Sequence, residues 1–168
     1  MDIQRPKIAE DFFSKLLHDT APIEGVSTIS QFWGSRLNQN HERYSLTIPE
    51  YHVQLCLNYT GHVCNGGHLQ YFEAKGIDRT SDTIQALIEA KASEHADALR
   101  KAYEPLRELP QCDHFSPDEI ELLDASVHDL WDHCDDLLYA ADSAKSIDAL
   151  LQIYLRENQQ MVLVPERS

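Results

Sequence analysis

From Ser116 to Tyr139 the chain repeats apolar residues at helical spacing. Ile120, Leu123, Val127, Leu130, Trp131, Cys134, Leu137 and Leu138 fall on one face when successive residues turn by about 100°. Ser116-Pro117-Asp118-Glu119 opens the segment with a capping serine, proline at the first helical position and glutamate at the third. Carboxylates in that first turn also suit the positive end of the helix dipole. Glu121, Asp124, His128, Asp132 and Asp135 fall on the opposite face, flanked by Asp118, Asp129 and Asp136. The separation is clean, and it specifies a folded helix with an acidic outer stripe.

The remaining segments are also helical. Ile8, Phe12, Leu16 and Leu17 mark a short amphipathic helix before Pro22, and Thr28 to Asn38 carries Ile29, Phe32, Trp33 and Leu37 at helical spacing. His41 to Leu46 is a polar connection. Thr47-Ile48-Pro49-Glu50 reads as a capping box, with the threonine as cap and Glu50 returning to its backbone N–H. That helix runs to Asn65-Gly66-Gly67, where two glycines imply a sharp break or a close backbone approach. A short helix, His68 to Ala74, is stopped by Gly76. Ser81 or Asp82 caps another with Ile84, Leu87 and Ile88; the next runs from about Glu94 to Leu109 and ends at Pro110. A last helix spans Ile147 to Asn158. No segment alternates with period two. The expectation is one all-α domain over residues 1–168, with about seven helices, a core in 45–158 and a tail from 159.

The charge is distributed unevenly. Between Arg107 and Lys145 there is no lysine or arginine but there are eleven carboxylates, in a chain of formal charge −14. An exposed helix usually mixes signs, because like charges at i,i+4 cost roughly 0.2–0.5 kcal/mol per pair. Carboxylates one turn apart recur at about 5.4 Å, and duplex DNA carries a phosphate roughly every 3.4 Å of axis along each strand. Acidic rows on adjacent helices or on a dimer can therefore approximate a phosphate array. A solvated face and a docking site for some other basic target are the competing readings. An EF-hand is excluded, because no D-x-[DN]-x-[DN]-G run is present.

A hydrophobic content of 42% and a pI near 4.9 exclude acidic disorder and argue against direct binding to DNA, RNA or anionic lipid. No signal peptide or bilayer-spanning run is legible, so a cytoplasmic location is expected, with no membrane association. The four cysteines, Cys56, Cys64, Cys112 and Cys134, follow no CxxC pattern and read as free thiols. His62, Cys64 and His68 lie close in sequence and raise a metal-binding alternative, but zinc sites use tighter pairs, and no cofactor or metal is expected. No G-x-S-x-G, HExxH or kinase set occurs, so the chain reads as a non-enzyme. A thiolate–imidazolium pair at Cys64 would lack an orienting third residue.

The string Val63 to Gly76, with Asn65, Gly66, Gly67, Gln70, Tyr71, Phe72 and Gly76 in the pattern NGG-x-x-QYF followed by glycine, is the most distinctive in the chain. It is not a phosphate loop, since GxxxxGK[ST] spacing is absent. The glycines let one helix end and another start steeply, Asn65 can satisfy free backbone groups, and Tyr71 and Phe72 can plug the junction. The string resembles the signature of the bacterial DNA-mimic protein family. Ser45 to Asn58, Asp82 to Arg100, Leu122 to Tyr139 and Ile147 to Glu157 resemble its other segments, so the likeness covers residues 45–158. His68 stands where the family usually has phenylalanine, and Ala74 near a common asparagine. The resemblance implies an all-helical homodimer whose acidic surface imitates DNA phosphates and occupies a basic DNA-binding protein such as a transcription regulator. The residues expected to form that surface are Asp118, Glu121, Asp124, Asp129, Asp132, Asp135 and Asp136; the motif residues are expected to be structural. The alternatives are an acidic interaction or immunity-type protein and, more remotely, a His/Cys metal protein.

Overall fold

In a computed structural model of the chain, the described residues are Val26 and residues 46–162. The helices expected around Ile8 to Leu17 and Thr28 to Asn38, and the tail from residue 163, lie outside them. Among the described residues there are six α-helices, two short 3-10 helices and no strand, so the chain is all-α. The helices are α1 (Ile48–Lys75), α2 (Thr80–Glu89), α3 (Ser93–Tyr103), α4 (Pro117–Glu121), α5 (Ala125–Ala144) and α6 (Ile147–Glu157). Two compact units divide them: Leu55–Ile147, and a second made of the residues before and after it. No helix among the described residues is long and apolar enough to cross a membrane.

The Leu55–Ile147 unit is built on α3, which packs against both α2 and α5. Its buried positions are mostly small, namely Ala96, Ala98 and Ala102 around Leu99. Small side chains let neighbouring helices approach closely. The Trp131 indole of α5 fills the centre, donates to the Ala102 carbonyl at 2.9 Å and stacks on Phe72 at 5.3 Å between centroids. A buried indole is stable there because its one polar group is satisfied.

Helix α1 breaks at Gly66 and Gly67, as the two glycines predict. Gly67 has φ 74° and ψ −176°, a region open essentially to glycine alone. Tyr71 and Phe72 are buried just beyond the break, in edge contact at 5.2 Å. Gly76 (φ 54°) ends the helix, and a Cβ there would overlap the Cys112 carbonyl. That same carbonyl accepts from Ile77 N–H at 2.9 Å and Asp78 N–H at 3.1 Å, and Glu73 O accepts from Phe115 N–H at 3.2 Å. The connection leading to α4 is thereby tied to the end of α1.

Four boundaries differ from expectation. Helix α2 starts at Thr80 after Arg79, with no side-chain cap, rather than behind Ser81 or Asp82. Helix α3 stops at Tyr103 instead of Leu109, because Pro105 lacks an N–H and crowds the preceding turn, leaving a 3-10 turn at Glu104–Leu106. The long acidic helix from Ser116 is two helices: Asp124 adopts extended geometry and accepts from Ser126 N–H at 2.8 Å, so it caps a new helix. At Thr47 half of the expected box forms, with Glu50 accepting from Thr47 N–H at 2.8 Å. The threonine hydroxyl is buried without a partner and does not cap.

In the second unit, Leu150, Leu151 and Leu155 of α6 are buried, as is Val53. The Tyr154 hydroxyl lies 2.7 Å from His52 Nδ1. The Asn158 amide donates to the Tyr154 carbonyl at 2.8 Å and closes the end of α6.

Candidate interaction surface

The expected acidic residues are not equivalent once folded. Ser116 and Glu119 form a complete capping box: Ser116 N–H donates to the Glu119 carboxylate at 2.8 Å, and Glu119 N–H donates back to the serine hydroxyl at 3.3 Å. The Ser116 backbone, then its hydroxyl, hold the Glu119 carboxyl below its usual range. Asp124 is similarly lowered by the hydroxyl and then the N–H of Ser126. Both carboxylates remain exposed while serving helix starts.

Asp118, Glu121, Asp129, Asp132 and Asp136 are exposed. Among the described residues none of them makes a salt bridge. The ion pairs of exposed cations lie elsewhere, Arg100 with Asp97 and Arg107 with Glu104. On α5, Asp129, Asp132 and Asp136 occupy an arc of about 60° and a rise of about 10 Å. Among the described residues they form a continuous row that pairs with no cation.

Asp135 departs from that row. Its side chain is only 18% exposed. Oδ1 accepts the His68 backbone N–H at 2.9 Å and lies 2.5 Å from His68 Nδ1. A carboxylate only accepts, so Nδ1 is the donor. The other ring nitrogen, Nε2, lies 2.8 Å from the Tyr59 hydroxyl. Tyr59 and His68 are both fully buried. Burial, reinforced by Tyr71, Cys134, Asp135 and Cys64, pushes the Tyr59 hydroxyl well above its usual range, so it stays protonated. In the neutral imidazole it is the donor to Nε2. Nearby, Tyr139 of α5 donates to the Val63 carbonyl just before the break, at 3.0 Å.

Asp135 thus does what Asn65 was expected to do. Asn65 is exposed, and the backbone group freed by the break is satisfied from α5 instead. The close backbone approach implied by Gly66-Gly67 is to this carboxylate: a Cβ on Gly67 would overlap Asp135 Oδ2. No spacing rule links residues 67 positions apart, so Tyr59 and the Asp135 contact carried no signal in the sequence. His68, expected as packing, is buried, and both its ring nitrogens are engaged. Among the described residues no group of three His, Cys, Asp or Glu side chains can hold a metal ion. Burial pushes the Cys56 thiol up to about 12, as suits a packing residue.

This junction, and every helix from α1 to α6, falls within the span matched by one protein family, residues 44–158. The chain belongs to the DMP19-like protein family. It is the DNA-mimic family to which the Asn65–Gly76 string pointed. The DMP19-like match covers both the junction and the acidic helices α4 and α5. No curated protein and no solved structure matches the chain.

Proposed function

We propose that the chain is a DNA mimic that occupies the basic surface of a nucleic-acid-binding protein, such as a transcription regulator. Asp118, Glu121, Asp124, Asp129, Asp132 and Asp136 act together as fixed negative charges, and the partner's lysines and arginines meet carboxylates where they would meet phosphates. The observation that carries this reading is the exposed row on α5, which makes no salt bridge among the described residues, in a member of the DMP19-like family. In a homodimer two such rows would lengthen the array. Asp135, engaged by His68 at the break in α1, stands apart from that set.

Retention of lysate proteins on the immobilised chain, eluted by salt and repeated with excess duplex DNA, tests the reading. A DNA-binding protein displaced by both, and lost when Asp129, Asp132 and Asp136 are changed to asparagine, is the expected result. Steep salt dependence follows from the screening of exposed charges. Retention of a basic protein that duplex DNA cannot displace would favour an interaction or immunity-type role and sink the mimic reading.

A further inference from the structure

The row of Asp129, Asp132 and Asp136 does not end in a further carboxylate. At the same spacing along α5 the next residue is Tyr139, three positions after Asp136 and seven after Asp132. At about 100° and 1.5 Å per residue, the four side chains share an arc of about 80° and a rise of about 15 Å. Tyr139 is 43% exposed. Among the described residues no other phenylalanine, tyrosine or tryptophan is exposed. The other large ring of α5, Trp131, is buried on the opposite side of the helix. An aromatic ring left in water forgoes the burial that normally makes it stabilising, and this one stands in line with the charges proposed to meet a partner.

The ring is anchored at its far end. Its hydroxyl donates to the Val63 carbonyl at 3.0 Å, just before the break in α1. Burial, then Asp135, Cys64 and Asp136, push that hydroxyl up, so it keeps its proton and stays a donor. The hydroxyl is therefore spent within the fold, and what Tyr139 offers a partner is its ring, set in place before any partner arrives. Side chains three apart on a helix have Cβ atoms roughly 5–6 Å apart, so the exposed Asp136 carboxylate stands beside that ring. Asp135 does not compete for the same position, because it is turned inward to His68.

We infer that Tyr139 and Asp136 form a seat for an arginine of the partner, its guanidinium lying against the ring and pairing with the carboxylate. The inference rests on the proposed reading of the acidic row and names the cation that row selects. A planar guanidinium can stack on an aromatic ring while its fork of N–H donors meets a carboxylate; an ammonium is compact, strongly hydrated and gains less from the ring. Tyrosine and arginine are also the residue types that most often dominate binding energy at protein interfaces. The carboxylates of the row attract any basic surface, and the ring at its end discriminates arginine from lysine.

Oligoarginine and oligolysine peptides of equal length are the probes, titrated into the full chain in low salt. Tyr139→Leu should weaken oligoarginine binding by about threefold or more and oligolysine binding by less than about twofold. Tyr139→Phe, which keeps the ring and loses the hydroxyl, should retain the parent's preference within about twofold. Asp129→Asn, a loss of charge at the other end of the row, should weaken both peptides by the same factor within about twofold. In the parent chain the Tyr139 ring resonances should shift with oligoarginine and stay in place with oligolysine. If neither peptide binds, the acidic row is no docking surface and both readings fall. If both bind but Tyr139→Leu weakens them equally or not at all, or the ring resonances ignore oligoarginine, the arginine seat alone is overturned and the acidic row stands.

Discussion

Asp135 and Asp136 are neighbours on one helix, and the fold treats them oppositely. Asp136 projects into solvent with no salt bridge among the described residues, whereas Asp135 turns inward and holds the break in α1 through two contacts to His68. One step of about 100° separates a carboxylate available to a partner from one consumed by the fold. Composition cannot make that distinction. The lesson is that an acidic count overstates a binding surface, because some of its charges hold helix starts and kinks.

The sharpest test of the inner region is Gly67→Ala. Positive φ in a region nearly closed to alanine, together with overlap on Asp135, should cost about 3 kcal/mol or more in urea unfolding. Asp135→Asn should cost about 1–3 kcal/mol by losing charge-assisted acceptance at His68, against a change within about 0.5 kcal/mol for Asp136→Asn. Equal costs for the two variants would erase the contrast between the regions. Changing Asp129, Asp132 and Asp136 together to asparagine should leave the unfolding midpoint nearly unmoved or slightly raised, since like-charge repulsion is relieved. The same triple variant should flatten the salt dependence of partner binding, read as log Kd against log salt.

A smaller effect concerns Asp124. Its folded carboxyl is lowered, so its contribution to the start of α5 is present above the unfolded carboxyl range and lost as pH falls through the folded value. Melting temperatures of the parent and Asp124→Ala should therefore differ near neutrality and converge in acid. A constant difference across that window would mean the cap owes nothing to ionisation.

Much of this architecture was legible because it is local. The Ser116 box, the break at Gly66-Gly67 and the stop at Gly76 all follow from residues adjacent in the chain. The split between α4 and α5 was not legible: Leu123 and Val127 continue the apolar stripe across it, and periodicity cannot see Asp124 turning to cap Ser126. The exposure of Asp129, Asp132 and Asp136 agreed with the helical wheel, while Asp135 did not, because its partners lie on another helix.

The Cys112 carbonyl has a wider meaning. Two amides from the end of α1 fix the strand of chain that leads to the acidic helices, and they do so through backbone atoms alone. The placement of that chain is therefore insulated from the identity of the side chains it displays. A lineage, or a protein engineer, can rewrite the outward residues of α5 that cap nothing, such as Asp129, Asp132 and Asp136, to follow a changing target without renegotiating the framework that presents them.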